Sequence, residues 1–384
     1  MVGVETSTSE TLTPIPLVNL HRQIASLQEP ISAAIAGVMS RADFIHGKAV
    51  AEFETAFAQW VGLPYCVGVG NGTDALTLML RAAKLPEKSV IVTTPMSFIA
   101  TTEAVSAAGY QIAFADIDPD TYGLSASALE SVLAEQRASA ILPVHLYGQS
   151  CDMLAIMELA SRYQCQVFED VAQAHGAKLN NQSVGSFGRA SAYSFYPGKN
   201  LGAFGDGGAV VTADPDLAEE VRKLANHGRL SKYEHLCEGV NSRLDTLQAA
   251  ILQVKLACID QWNAQRRHWA AQYHQMLADV SEIKLPQVLL GSEPVYHLFV
   301  IQVENRDALM QALKQQGIAS GIHYPIPLHR QPAYAHLNLP VGRFPNAEKL
   351  ASQALSLPLF PEMLEEECLR VVQALRTFYG YSPL

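Results

Sequence analysis

The sequence predicts an α/β fold: a large domain with a mostly parallel sheet between helices, then a small α/β C-terminal domain. Two observations carry this. From about residue 65 to 212, short apolar runs alternate with helical patterns, and near-continuous apolar strands alternating with helices mark a parallel sheet covered on both faces. The 384 residues also suffice for one large domain and a smaller one.

The elements follow in order. "YCVGVG" leads into the helical pattern "GTDALTLMLRAA", and "SVIVTTP" into "SFIATTEAVSAAG". "QIAFADI" precedes "SASALESVLAE", "SAILPVHLYG" precedes "DMLAIMELASRYQ", and "CQVFEDV", "SAYSFYP" and "GGAVVT" complete the strands. A helix over "PDLAEEVRKLANHG" and one long helical pattern from about Leu244 to Asp279 come next. "YHLFVIQV", "RDALMQALKQQG" and "LEEECLRVVQALRTF" form the small domain. The expected division is a flexible tail over 1–14, a large domain over 15–260 and a small one over 261–384.

Composition excludes several functions. A net charge of −10 argues against nucleic-acid binding, although cations concentrated locally can still take an anionic substrate. No run reaches the roughly 18 apolar residues of a membrane span. The N-terminus has no basic n-region or apolar h-region, so no signal peptide is expected. The six cysteines are scattered without paired metal spacing, which fits a reducing cytoplasm and no metal site.

Three motifs carry chemistry. "GNGTDAL" (70–76) follows a strand and opens a helix, so the amides of Gly72, Thr73 and Asp74 at a helix N-terminus favour an anion; a plain capped turn reads equally from the motif alone. "VFEDVAQAHGA" (167–177) puts Asp170 at a strand end, where a carboxylate needs a cation or hydrogen bonds. "SFYPGKNLGAFGDGG" (194–208) sets Lys199 among glycines and apolar residues. Burial lowers a lysine's pKa, and the neutral amine is a nucleophile toward aldehydes. A phosphate turn, then an aspartate, then a lysine is the order needed to hold pyridoxal 5′-phosphate.

The chain resembles the DegT/DnrJ/StrS family of nucleotide-sugar aminotransferases, within the aspartate-aminotransferase-like (fold type I) enzymes. The resemblance rests on "GNGTDAL", "SFIATTEAV", "FADIDPDTY", "VHLYGQ", "EDVAQAHGA", "SFYPGKNLGAFGDGGAVVT", "GVNSRLDTLQAAIL" and "HYPIPLHRQPAY", and spans about Ile15 to Leu375. It implies that Lys199 bonds the cofactor aldehyde and Asp170 pairs with the pyridine nitrogen. It implies that Gln173 meets the ring hydroxyl and Phe98 stacks on the ring. Gly72, Thr73 and Ser194 match the phosphate cradle. Asn241 matches an asparagine that reaches the phosphate from a second subunit, which implies a homodimer with shared sites.

The resemblance further implies amino transfer from L-glutamate to a keto-sugar nucleotide. The motifs look most like those of enzymes acting on 3-keto sugars, UDP- or dTDP-linked, with 4-keto-6-deoxy sugars as the alternative. A sugar dehydratase and a non-catalytic sensor are the rival readings. In the family's dehydratase branch a histidine stands where Lys199 stands here. For the substrate, Arg229, Lys232 and Arg243 are the candidate cations. The segment with His323, Tyr324, His329 and Arg330 matches the sugar-nucleotide entrance.

Overall fold

A computed structural model describes residues 13–229 and 231–383; all but the last two residues of the expected N-terminal tail lie outside that range. Seven strands form the main sheet: β1 (Tyr65–Val69), β2 (Val90–Thr93), β3 (Gln111–Phe114), β4 (Ala140–Leu142), β5 (Gln166–Asp170), β6 (Ala190–Ser194) and β7 (Gly208–Thr212). Their order is β1-β7-β6-β5-β4-β2-β3. Neighbours from β6 to β3 are parallel, and β7 runs antiparallel to both β6 and β1.

Alternate residues of each strand serve opposite faces, as the pleat requires. Val67, Val69, Ile91, Phe168 and Val210 pack with the helices Gly72–Ala82, Ala100–Ala107 and Pro215–Ala225. Cys66 and Val211 pack with Lys48–Val61 and Thr246–Leu256, while Val92, Ile141 and Val167 pack with Ala126–Glu135 and Met153–Tyr163. Leu78, Met79 and Leu80 are sealed within this layer. Truncating such a side chain to alanine costs about 2–5 kcal/mol, whereas an exposed ion pair contributes about 0–1 kcal/mol. Burial on the two sheet faces therefore outweighs the surface salt bridges in holding the fold.

A second sheet pairs β8 (Phe299–Gln302) antiparallel with β9 (Ala354–Leu357). The helices Arg306–Gln315 and Glu365–Phe378 cover it, and Ile15 joins the same core. Another cluster bridges the two sheets: Phe114, Val144, Leu146 and Tyr147 meet Val300, Leu328 and Phe344.

One expectation is corrected. The pattern from Leu244 to Asp279 is two helices, Thr246–Leu256 and Ile259–Met276, broken at Ala257–Cys258. No glycine or proline marks the break. The first helix buries Ala249 and Leu252 against the large sheet, whereas the second reaches Ala270 and Tyr273 in the C-terminal core. A single straight axis does not serve both surfaces, so tertiary packing sets the turn. The expected boundary at 260/261 falls inside the second helix.

Candidate active site

The carboxyl ends of the parallel strands gather the chemistry, as open α/β sheets do. Ser194 ends β6 and pairs in register with Gly208, which also pairs with Val69 of β1. This ladder brings the turn after β1 against Ser194. A Cβ on Gly72 would lie 2.6 Å from the Cβ of Ser194, so the position accepts only a hydrogen. Asn71 caps the helix, its Oδ1 accepting from the amide of Asp74 at 2.8 Å. Of the three amides expected to face an anion, Asp74's is thus spent on the cap. Those of Gly72 and Thr73 stand in the first turn, where no earlier carbonyl of the helix can serve them. Two amides, the helix dipole and the Ser194 hydroxyl together present donors and partial positive charge that can take an anion.

Asp170 ends β5 and is 4% exposed. The Thr101 hydroxyl donates to its Oδ2 at 2.8 Å and the Ala172 amide to its Oδ1 at 3.1 Å. Burial nonetheless raises its pKa, against these two donors and the charge of Lys199. Lys199 follows β6 in the loop that returns as β7. The Lys199 amide donates to Tyr196 O and that of Ala203 to Phe195 O, folding the loop on itself. Gly202 permits that fold, since a Cβ there would lie 2.2 Å from Pro197 O. The buried Lys255 ammonium donates to Gly202 O. Burial pushes the Lys199 amine down to about 8, while Asp170 pulls it up. Asp170 and Lys199 therefore act within each other's field.

A second group approaches from the C-terminal part of the chain. Gln173 accepts the Tyr147 amide on Oε1 at 2.8 Å and donates from Nε2 to the Tyr324 hydroxyl at 3.1 Å. This fixes which end of the amide is the donor. The Tyr147 hydroxyl donates to His323 O. Burial pushes the Tyr324 phenol up to about 12, so it stays protonated at neutral pH. Phe98 is 54% exposed and lies 5.9 Å from the Tyr324 ring, which separates it from the packed core. His323 bonds Ser356 through Nδ1 at 2.8 Å.

His297 belongs with this group and the sequence reading passed over it. Asn200 uses both amide hydrogens, on Asn263 Oδ1 and Val295 O, so its Oδ1 only accepts. His297 must then hold its proton on Nδ1, 3.2 Å away, and keep a lone pair on Nε2. Burial, then the charge of Lys199, lowers its pKa well below the usual histidine range. Tyr147 and Thr101 were passed over too. Thr101 lies in the first turn of the helix Ala100–Ala107, three places after Phe98, whose carbonyl accepts its amide at 3.2 Å.

Other expected residues lie elsewhere. His329 is corrected: its side chain is sealed, bonded to Glu348 at 3.0 Å and edge-on to Phe344. It packs the fold and does not wall an open site. Arg330 is exposed, with its guanidinium on Leu339 O. Asn241 is exposed and bridges Asn226, to which Arg243 also donates at 3.3 Å. Arg229 holds Lys232 O at 2.8 Å. Among the described residues, none of Arg229, Lys232 and Arg243 pairs with a carboxylate. Arg243 and Arg229, with Arg222, lie near enough to His46 to help burial lower its pKa. Neither a metal-binding cluster nor a helix long and apolar enough to cross a membrane occurs among the described residues.

The model of the DegT/DnrJ/EryC1/StrS aminotransferase family matches residues 25–376. The chain belongs to this family. It is 44% identical over 367 residues to a dTDP-3-amino-3,6-dideoxy-alpha-D-galactopyranose transaminase of Aneurinibacillus thermoaerophilus, covering 96% of this chain and all of the relative. It is 38% identical over 365 residues to a UDP-2-acetamido-2-deoxy-3-oxo-D-glucuronate aminotransferase of Pseudomonas aeruginosa, covering 94% of this chain and 99% of the relative. Among solved structures, Streptomyces venezuelae DesV in complex with a ketimine intermediate superposes with a TM-score of 0.93 at 41% identity. That match covers 96% of this chain and 99% of DesV. The fold is accordingly that of the type I aminotransferases.

Proposed function

We propose that this chain moves the amino group of L-glutamate to the keto carbon of a nucleotide-linked sugar, a 3-keto sugar before a 4-keto one, with pyridoxal 5′-phosphate as cofactor. The observation that carries this reading is the meeting of Lys199 and Asp170 beside the Gly72–Ser194 cradle. The residues fit the cofactor on three counts. The cradle matches a phosphate, the buried Asp170 wants a cation such as a protonated pyridine nitrogen, and Lys199 has an amine that sheds its proton readily.

The cofactor supplies an aldehyde that takes up an amino group and a ring that accepts electrons. This chain's residues do the rest. Gly72 and Thr73 amides and the Ser194 hydroxyl bind the phosphate. Asp170 holds the proton on the ring nitrogen, Gln173 offers its second Nε2 hydrogen to the ring oxygen, and Phe98 covers a ring face. The Lys199 Nζ would carry protons, taking one from the α-carbon of glutamate in the first half of the transfer and delivering one to the sugar carbon that gains nitrogen in the second. His323 and Tyr324 border the sugar, and Arg243 and Arg229 hold its diphosphate or a carboxylate. The 3-keto preference rests on the named relatives, one acting on a dTDP-linked and one on a UDP-linked sugar.

A homodimer completes the site in this reading, with Asn241 reaching the partner's cradle. Support comes from exposed apolar side chains near Asn241 in the chain or the fold. Phe44, Ile45 and Val240 are 47%, 48% and 38% exposed, and Ile45 bridges Asp245, four residues after Asn241. The decisive test offers glutamate with 3-keto UDP-uronate, 3-keto dTDP-6-deoxy and 4-keto-6-deoxy sugar nucleotides, with products read by mass spectrometry. Amination of a 3-keto substrate is expected; preferential turnover of the 4-keto sugar overturns the regiochemistry. Mixed dimers of Lys199→Ala and Asn241→Asp chains are expected to regain activity that neither parent has. Verified mixed dimers that stay inactive place the whole site within one chain.

A further inference from the structure

Behind Asp170 lies a pair of hydroxyls that the reading above does not use. Thr101 and Ser97 are 1% and 4% exposed. Thr101 Oγ1 stands 2.8 Å from Asp170 Oδ2 and 2.8 Å from Ser97 Oγ. A carboxylate has no hydrogen to give, and a threonine hydroxyl has one. Thr101 therefore gives its hydrogen to Asp170, and Ser97 must give its own to Thr101. The direction Ser97 to Thr101 to Asp170 is fixed. The same turn carries Phe98, whose carbonyl accepts the Thr101 amide at 3.2 Å.

We propose that Thr101, backed by Ser97, is a positioning residue that keeps Asp170 the weaker base, so that the shared proton stays on the cofactor's ring nitrogen. This rests on the functional reading above. The groups around Asp170 explain why such a device is needed. Burial favours the protonated carboxyl. The Ala172 amide opposes this from the far oxygen. Lys199 opposes it through its charge, which an amine near 8 sheds as pH rises. His145 lies close enough to be felt, but its Nε2 is bonded to Glu169 at 3.0 Å and its Nδ1 accepts the Cys151 amide. Tyr324 stays neutral. Among the described residues, Thr101 alone combines direct contact with Oδ2 and a strength that does not titrate. One short segment entering the helix Ala100–Ala107 thus sets the ring's face through Phe98 and its nitrogen through Thr101.

The test is nuclear magnetic resonance of the holoenzyme loaded with cofactor labelled with nitrogen-15 in the ring. Wild type, Thr101→Val, Thr101→Ser and Ser97→Ala are compared at one pH. A protonated ring nitrogen is expected in wild type. In Thr101→Val the shift should move toward the unprotonated value, with about tenfold weaker cofactor binding for one lost charge-assisted bond. Thr101→Ser should restore both, and Ser97→Ala should show a smaller shift in the same direction. A wild-type shift in Thr101→Val overturns the proposal. If that variant takes up no cofactor, an unchanged shift in Ser97→Ala overturns it. Wild type that binds cofactor with an unprotonated nitrogen overturns this proposal alone; wild type that takes up no cofactor overturns the functional reading with it.

Discussion

At pH 7 an ordinary lysine side chain is neutral in only ~0.04% of molecules, whereas an amine near 8 is neutral in about a tenth. Lys199 sits at about 8 because burial disfavours its charge more than Asp170 favours it. The rate at which the apoprotein captures pyridoxal phosphate should therefore rise with pH through about 8 and level above it. Stopped-flow absorbance would measure this; a rate still climbing at pH 10 would mean an unperturbed lysine. Asp170→Asn removes the stabilising anion, so the midpoint should fall below 8. The sequence made Lys199 and Asp170 legible because a lysine among glycines and an aspartate on an apolar strand contradict their surroundings. It did not expose Thr101, Tyr147 or His297, which look like ordinary strand-end and helix residues until the fold sets them beside those two. His329 misled in the opposite way: a histidine in a proline-braced loop reads as exposed, and its pairing with Glu348 is set by tertiary contacts.

The decisive element is the helix Gly72–Ala82, whose first residue touches Ser194. Gly72→Ala would force the turn and β6 apart, because the new Cβ meets backbone and Cβ atoms that have no slack. Cofactor affinity should drop at least about tenfold, roughly 1.4 kcal/mol. The urea midpoint should fall as well, since overpacking at a tight contact costs about 1–3 kcal/mol. Fluorescence titration with pyridoxal phosphate and urea denaturation together check this; unchanged affinity would remove the turn from the phosphate site. Strand and helix order was readable because apolar period and caps agree along most of the chain. The break at Ala257–Cys258 was not, since the two faces it reconciles belong to different cores and leave no local mark.

Several histidines are held neutral throughout the molecule. Burial brings His175 down to about 3 and His297 well below its usual range. Once unfolded, both take up protons as pH drops below about 6.5. Between that value and the folded pKa the unfolded chain binds more protons, so stability falls as pH falls. The contribution of these two histidines to the urea midpoint should be level from pH 8 to 7 and decline from pH 6.5 to 5. His175→Gln should flatten part of that decline; an unchanged slope would show that His175 titrates alike in both states.

The antiparallel strand β7 has a further consequence. Asp170, Ser194 and Lys199 lie on neighbouring strands and a loop that are close in the chain, joined without a crossover helix between β6 and β7. The phosphate turn instead arrives through β1, where residues numbered in the sixties meet residues past 207. Closing so long a loop comes late, since its entropy must be offset before the pairing helps. During refolding the lysine loop should gain protection from hydrogen exchange before phosphate can bind, and cofactor uptake would then time the docking of the first strand.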